Sequence, residues 1–257
     1  MISTGMARRL FAALILIGWV GAAQAAEIRV VSVHGMRAVM DDLRPRFERT
    51  TGHRLAIVFA TLGGAVKHVQ ASEAIDVAVV PRQGIDRFVK EDRIATAGDV
   101  AWVARSRLGV AVRKGALRPD IASPDALKRA ILAAKSLTYP DPAHGASSGI
   151  HFVKVLDRLG IAAEVKSKTV FLSKAGPVGV LVAKGEAELA VHQIQELLPV
   201  SGIEIVGPLP DELQDTLVFG AAVMASSREA AAARQFVDFL RSQEAAMVIA
   251  AKGMDPA

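Results

Sequence analysis

The chain has 257 residues, 51% hydrophobic and 22% charged, which is enough to bury a sizeable core. Its formal charge of +5 is scattered and only 5% of residues are aromatic, so it lacks the basic stripe and stacking platforms of a nucleic-acid-binding protein. There are no cysteines, which excludes a disulfide framework, a thiolate metal site and a lipid-anchored lipoprotein N-terminus.

The first segment, "MARRLFAALILIGWVGAAQAAE", joins a basic start (Arg8, Arg9) to an apolar run from Leu10 to Val20 and an A-x-A exit at Ala23-Gln24-Ala25. That pattern reads as a secretory signal peptide over 1–25. The apolar run is about half the roughly 20 residues that a membrane span needs. Removing it leaves a formal charge of about +3 and a soluble exported chain, for which the periplasm is the natural compartment.

Short β-branched runs then alternate with helical spacing, the pattern of an α/β fold with largely parallel strands. "IRVVS" (28–32) predicts a buried strand, and Val39, Met40, Leu43 and Phe47 predict a helix that Pro45 should kink or split and Gly52 should end. "LAIVFA" (55–60) is a strand, "TLGG" (61–64) a loop and "AVKHVQAS" (65–72) a short helix. A strand at 75–81, a helix at 84–94 and one or two strands at 102–115 follow. Ser123 and Pro124 open a helix at N-cap and N1. Beyond it come a strand at 136–142, a helix over 150–160 ended by Gly160, a strand at 166–172 and a helix at 176–186. The stretches 187–193, 204–210 and 215–226 are extended, and an Ala-rich helix over 228–253 is broken near Ser242. Gly and Pro spacing suits two α/β lobes, with crossings at "RLGVAVRKG" and "GPLPDELQDTLVFGAAV". Lobe one is then 26–108 plus 217–257, and lobe two is 109–216.

Ligands of open α/β sheets bind beyond the carboxyl ends of strands, where helix N-termini begin. Five stretches fall there: "VHGM" (33–36), "TLGG" (61–64), "DPAHGASSG" (141–149), "LSKAGP" (172–177) and "VHQIQE" (191–196). Four are rich in Gly, Ser or Ala, so backbone can approach a ligand, and helix N-termini add N–H donors and partial positive charge. This is anion-binding architecture. There is no G-x-S-x-G elbow, P-loop, G-x-G-x-x-G after a strand or H-E-x-x-H, and no metal or cofactor is expected. Of the six histidines, His53 and His68 read as surface groups, His144 as exposed in a loop and His151 as a packing or capping residue. His34 and His192 stand at predicted strand exits.

The order of segments resembles the periplasmic solute-binding proteins of type II fold, in the molybdate-binding-protein-like group. The likeness is carried by "IRVVSVHGMRAVMDDLRPRFERTTGHRLAIVFAT", "AIDVAVVP", "YPDPAHGASSGIHFVKVLDRLGI", "GEAELAVHQIQELLPVSGIEIVGPLPDELQ" and "ARQFVDFLRSQEAAMVIAAKGM". It implies an α/β, two-lobed periplasmic-binding-protein type II fold, with two crossover strands, a hinge and a central ligand cleft. Molybdate binders of the family use serine hydroxyls at the first two strand exits and a tyrosine. Here those positions correspond to Gly35, Leu62 and Gln193, a depleted hydroxyl set that argues for an organic carboxylate over molybdate or tungstate.

The expected ligand contacts are His34, Gly35, Met36, Arg37, Thr61, Leu62, Gly63, Ser147, Ser148, Gly149, Ala175, Gly176, His192 and Gln193. The leading expectation is a monomeric binding component of an ABC-type importer that captures a small anion and delivers it to a permease. The branch with "HGMR"-like first loops also contains a periplasmic aconitate isomerase. The alternative is therefore an enzyme interconverting trans- and cis-aconitate, with His34 as base, His192 as its substitute, and Arg37, Ser147 and Ser148 holding carboxylates.

Overall fold

The β-branched run after the expected leader forms β1 (Glu27–Val33), whose Ile28, Val30, Val31 and Val33 are buried. The computed structural model describes residues 25–71, 74–144, 146–173 and 176–257; the expected leader, apart from Ala25, lies outside them, as does Ala175. A single 3-10 turn, His34–Met36, leads into α1 (Arg37–Thr51), which buries Val39, Met40, Leu43 and Phe47 and ends on Gly52 at φ 76°. Pro45 lies inside an unbroken α1, contrary to expectation. Both Pro45 and Asp41 are exposed, so the carbonyl that loses its donor faces water, while Leu43 and Phe47 on either side anchor the helix in the core.

β2 (Arg54–Ala60) runs into α2 (Leu62–Gln70). This helix starts three residues before its expected position, because the Thr61 side chain accepts from Gly64 N at 3.1 Å and caps it. Next come β3 (Val77–Pro81), α3 (Arg82–Lys90), β4 (Val100–Ser106) and β5 (Leu108–Arg113), so the stretch read as one or two strands is two. α4 (Pro124–Ala133) has Ser123 as its N-cap. β6 (Leu137–Thr138), α5 (Ser147–Leu159), α6 (Ala162–Lys166), α7 (Gly179–Lys184), β7 (Leu189–Gln193), α8 (Ile194–Leu197) and β8 (Ile203–Pro208) follow. The strand expected at 166–172 amounts to one bridge, Leu137 to Thr169. β9 (Leu217–Val223) precedes α9 (Ala230–Phe239) and α10 (Gln243–Ala251), which are separated at Ser242, the N-cap of α10. β10 (Asp255–Pro256) closes the chain.

Two sheets result, one of six strands in the order β10-β4-β9-β3-β1-β2 and one of four in the order β6-β7-β5-β8. The pairing is more mixed than the sequence suggests. β1 is parallel to β2 and β3, and β6 to β7, but β9 is antiparallel to β3 and β4, and β5 to β7 and β8. β5 and β9 follow directly on the two stretches that cross between sheets, and each enters its sheet against its neighbours. One core, including Phe47, Phe88, Phe219 and Phe236, packs on the six-stranded sheet. Two smaller clusters cover the four-stranded sheet, one around Leu127, Ile131 and Phe152, the other around Leu181, Val182 and Leu197.

The crossings, at Arg107 and between β8 and β9, are stitched by one side chain. Gln214 Oε1 accepts from Leu108 N at 3.0 Å, and its Nε2 donates to Leu108 O at 2.7 Å and to Leu209 O at 3.2 Å. This amide ties the backbone of the first crossing to that of the second.

Candidate interlobe ligand site

A cavity of about 980 Å³ opens between the two sheets, at the upper end of the roughly 300–1,000 Å³ usual for small-molecule sites. The carboxyl ends of β1, β2 and β3 reach it from one side through Val33, Ala60 and Pro81. The crossings supply Ser106, Leu108 and Leu217. All five stretches singled out in the sequence contribute to its wall. His34, Gly35, Thr61, Leu62, Gly63, Ser147, Ser148, Gly176, His192 and Gln193 line it.

Three expected contacts lie elsewhere. Met36 is fully buried in the core on the six-stranded sheet, because the 3-10 turn directs it inward. Gly149 is buried behind the wall, where a Cβ would meet Pro140 O at 1.9 Å; its role is close helix-to-loop packing. Arg37 is exposed, with its guanidinium 3.9 Å above the Phe59 ring and 3.5 Å from His34 Nδ1, outside the lining.

The donors are mainly backbone. α2 and α5 present their first turns to the cavity. On α2 the Thr61 side chain satisfies Gly64 N, leaving the N–H groups of Leu62 and Gly63 and the Thr61 hydroxyl proton for a ligand. On α5 the N-cap is Ala146, which has no capping side chain, so the first-turn N–H groups at Ser147 and Ser148 stay open beside their hydroxyls.

The ionisable lining differs from the sequence reading. Lys154 is on the wall and no Arg is, among the described residues, whereas Asp141, Glu196 and Asp215 contribute carboxylates. His144 and His151, set aside in the sequence, both line the cavity. His144 Nδ1 lies 3.7 Å from Asp141 and His151 Nδ1 3.7 Å from Asp215, while His151 Nε2 donates to Leu213 O at 2.9 Å. Tyr139, buried at the end of β6, lines it too, and desolvation pushes its phenol above the usual range. His53, read as a surface group, is buried and its Nδ1 accepts from Ala26 N at 3.1 Å, far from the cavity.

His192 is the most constrained of these groups. Its Nδ1 accepts from Gln193 N at 2.7 Å, so the neutral ring carries its proton on Nε2, which points towards Glu196 Oε2 at 3.8 Å. Burial lowers its pKa to about 4 and, separately, pushes Glu196 up. His192 therefore offers a donor rather than a base to the cavity at neutral pH. Glu196 was missed in the sequence; the available signal was an acidic residue in the first turn of a helix beginning at a strand exit. Among the described residues no group of three or more His, Asp or Glu side chains is arranged to hold a metal ion.

This fold has known counterparts. The family model for bacterial extracellular solute-binding proteins matches residues 28–255. The chain is 32% identical over 235 residues to an aconitate isomerase from a Pseudomonas species, an alignment spanning 89% of this chain and 87% of that protein. It is 27% identical over 239 residues to the molybdate-binding protein ModA of Azotobacter vinelandii, spanning 90% and 91%. The solved periplasmic molybdate-binding protein of Azotobacter vinelandii shares the fold at a TM-score of 0.69 and 19% identity, covering 88% of this chain and 98% of that one. The chain belongs to the bacterial extracellular solute-binding protein family.

Proposed function

We propose that this protein is the periplasmic receptor of an ABC-type importer and captures a small organic carboxylate in its interlobe cavity. The observation that carries this reading is the cavity itself. Its volume of about 980 Å³ is generous for a five-atom oxyanion, and its anion donors come from opposite walls, at the first turns of α2 and α5. The first strand exit supports the same preference, because Gly35 offers no hydroxyl to a tetrahedral dianion. Export through the leader over 1–25 and delivery to a membrane permease complete the proposal. Thermal-shift screening of the purified mature protein at millimolar ligand tests it. Di- and tricarboxylates should raise the melting temperature, and no response to any of them would refute it.

A second reading, isomerisation of an aconitate-type tricarboxylate, is favoured by the 32% identity to an aconitate isomerase and by the His192–Glu196 pair. Burial keeps His192 neutral, with its Nε2–H as a donor, and displaces the Glu196 carboxyl upward, the direction that makes a carboxylate a better general base. In that case His192 Nε2–H would act as donor to the substrate, and Glu196 or the exposed His34 would move the allylic proton. Proton NMR of trans-aconitate incubated with the protein tests it: appearance of the cis isomer supports turnover, and its absence at stoichiometric enzyme excludes the enzyme.

A further inference from the structure

At the first strand exit of this cleft the chain sets acceptors opposite the backbone. A Cβ on Gly35 would lie 3.5 Å from Glu196 Oε1 and 3.5 Å from Gln193 Oε1, so both oxygens face the turn after β1 from the other sheet. Gln193 is already committed. Its Oε1 accepts from Gln195 Nε2 at 2.9 Å, and Gln195 Oε1 accepts from Ser106 Oγ at 2.7 Å, a buried amide chain with fixed orientation. Glu196 is not: among the described residues no hydrogen bond satisfies its carboxylate, and its one ionisable contact within 4 Å is His192 Nε2 at 3.8 Å.

Among the described residues, the other ionisable groups of the cavity are His192, His34 on the turn after β1, Tyr139, Asp141 and His144 before α5, His151 and Lys154 on α5, and Asp215 between the crossings. Asp141 and Asp215 have their own histidines, and with His192 kept neutral by burial none of these groups forms an ion pair with Glu196. A lone, partly desolvated carboxylate facing an anion site repels the ligand, and two like charges share such a site only when one takes a proton.

We infer that Glu196 is the specificity-determining residue of the cleft, admitting a carboxylate ligand only together with one proton held between the Glu196 carboxyl and the ligand. This rests on the reading of the cavity as a carboxylate site. Burial already displaces the Glu196 carboxyl upward, and an arriving anion displaces it further in the same direction. The proton comes from solvent, since burial keeps His192 neutral with its single N–H in place. A ligand unable to share that proton meets the full repulsion.

The sign of the linkage follows. Below the free-protein pKa of Glu196 the proton is already present and affinity does not depend on it. Between the free and ligand-bound pKa values, binding takes up a proton. Across that window affinity falls as pH rises, approaching tenfold per pH unit.

Isothermal titration of the mature protein with trans-aconitate, in two buffers of different ionisation enthalpy at one pH, counts the protons directly. Repeating it over a pH series that spans the onset of proton uptake gives the slope. The expected result is uptake approaching one proton per ligand, with Kd rising towards tenfold per pH unit. In Glu196→Gln, which keeps shape but cannot ionise, the proton count drops by that amount and the slope flattens. Binding with no buffer dependence in the wild-type protein overturns the inference while leaving the carboxylate reading intact, as does an unchanged proton count in Glu196→Gln. Should that variant fail to fold, the wild-type count decides alone. No binding heat in a protein that melts cooperatively overturns the carboxylate reading and the inference together.

Discussion

Two glycines in the first turns of helices that open onto the cavity should respond to the same substitution with opposite sign. Gly149 is the third residue of α5, and a Cβ there would stand 1.9 Å from Pro140 O, 2.9 Å from Pro140 C and 3.3 Å from Pro142 N. Ordinary contact needs roughly 3.5 Å, so helix and loop must separate by on the order of 1 Å, and the obstacle is backbone with no rotamer to yield. Overpacking of this kind costs about 1–3 kcal/mol or more, of which the better helix propensity of Ala returns at most about 1 kcal/mol. At roughly 2–4 °C per kcal/mol for a chain of this size, a net cost of up to about 2 kcal/mol should make Gly149→Ala melt lower by up to about 8 °C. Gly63, the second residue of α2, has nothing within 4 Å of its would-be Cβ, so Gly63→Ala should melt up to about 4 °C higher. Ser147 and Ser148 share the displaced turn, so Gly149→Ala should also weaken anion binding. Paired thermal melts and titrations with trans-aconitate measure both effects. If Gly149→Ala melts at or above the wild-type temperature with unchanged affinity, the reasoning that this glycine seats the α5 donor turn is refuted.

The remaining predictions concern single buried groups. Asp76 is buried and accepts from Arg29 N at 2.8 Å, Ser227 Oγ at 2.7 Å, Arg228 N at 3.0 Å and Glu229 N at 3.3 Å, tying β1 to the segment before α9. Asp76→Ala should lower the urea midpoint with an unchanged m value, by about 3 kcal/mol or more, since each hydrogen bond to a charged group is worth roughly 1.5–3 kcal/mol. His192 has its pKa depressed to about 4 by burial, so the unfolded chain takes its proton first. Stability should be constant with respect to this group above about pH 6.5 and fall as pH drops towards 4, by up to about 1.4 kcal/mol per pH unit. His192→Gln should remove that component from the melting-temperature profile; an identical acid limb in both proteins would show that the imidazole is not held neutral by the fold. In Asp99, the bidentate contact to Arg234 (2.7 and 3.2 Å) and the Thr96 hydroxyl hold the carboxyl below the usual range. Its stabilisation is present above the unfolded carboxylate pKa and lost as pH falls through the folded one. Asp99→Asn should therefore flatten the lowest part of the same profile.

The alternation of elements, the stops at Gly52 and Gly160, the Ser123 cap and the break at Ser242 follow from local chemistry, and local chemistry is visible in one sequence. The start of α2 was hidden because Gly63 and Gly64 read as a loop, while the capping geometry of Thr61 makes the turn helical. The direction of β5 and β9 depends on where the chain crosses between sheets, which periodicity does not encode. His53 read as exposed because its partner, Ala26 N, lies 27 residues away. At the cavity, strand exits were legible from Gly, Ser and Thr positions. Asp215 and His151 were not, since Asp215 looks like an ordinary surface acid until the segment between β8 and β9 brings it beside His151 at the cavity; Asp141 and Glu196 fell in stretches assigned to the cleft but carried no signal of their own as lining groups. Arg37 drew attention as a carboxylate clamp, yet stacking on Phe59 turns it away from the lining.

The central claim, that this cleft is built for an organic carboxylate and not for a tetrahedral oxyanion, is tested most directly by the ratio of two affinities. Isothermal titration of one purified preparation of residues 26–257 with trans-aconitate and with molybdate, at the same pH and ionic strength, gives that ratio. Saturable, stoichiometric binding of the tricarboxylate is expected, with molybdate bound at least tenfold more weakly, about 1.4 kcal/mol. Molybdate binding as tight as or tighter than trans-aconitate would contradict it.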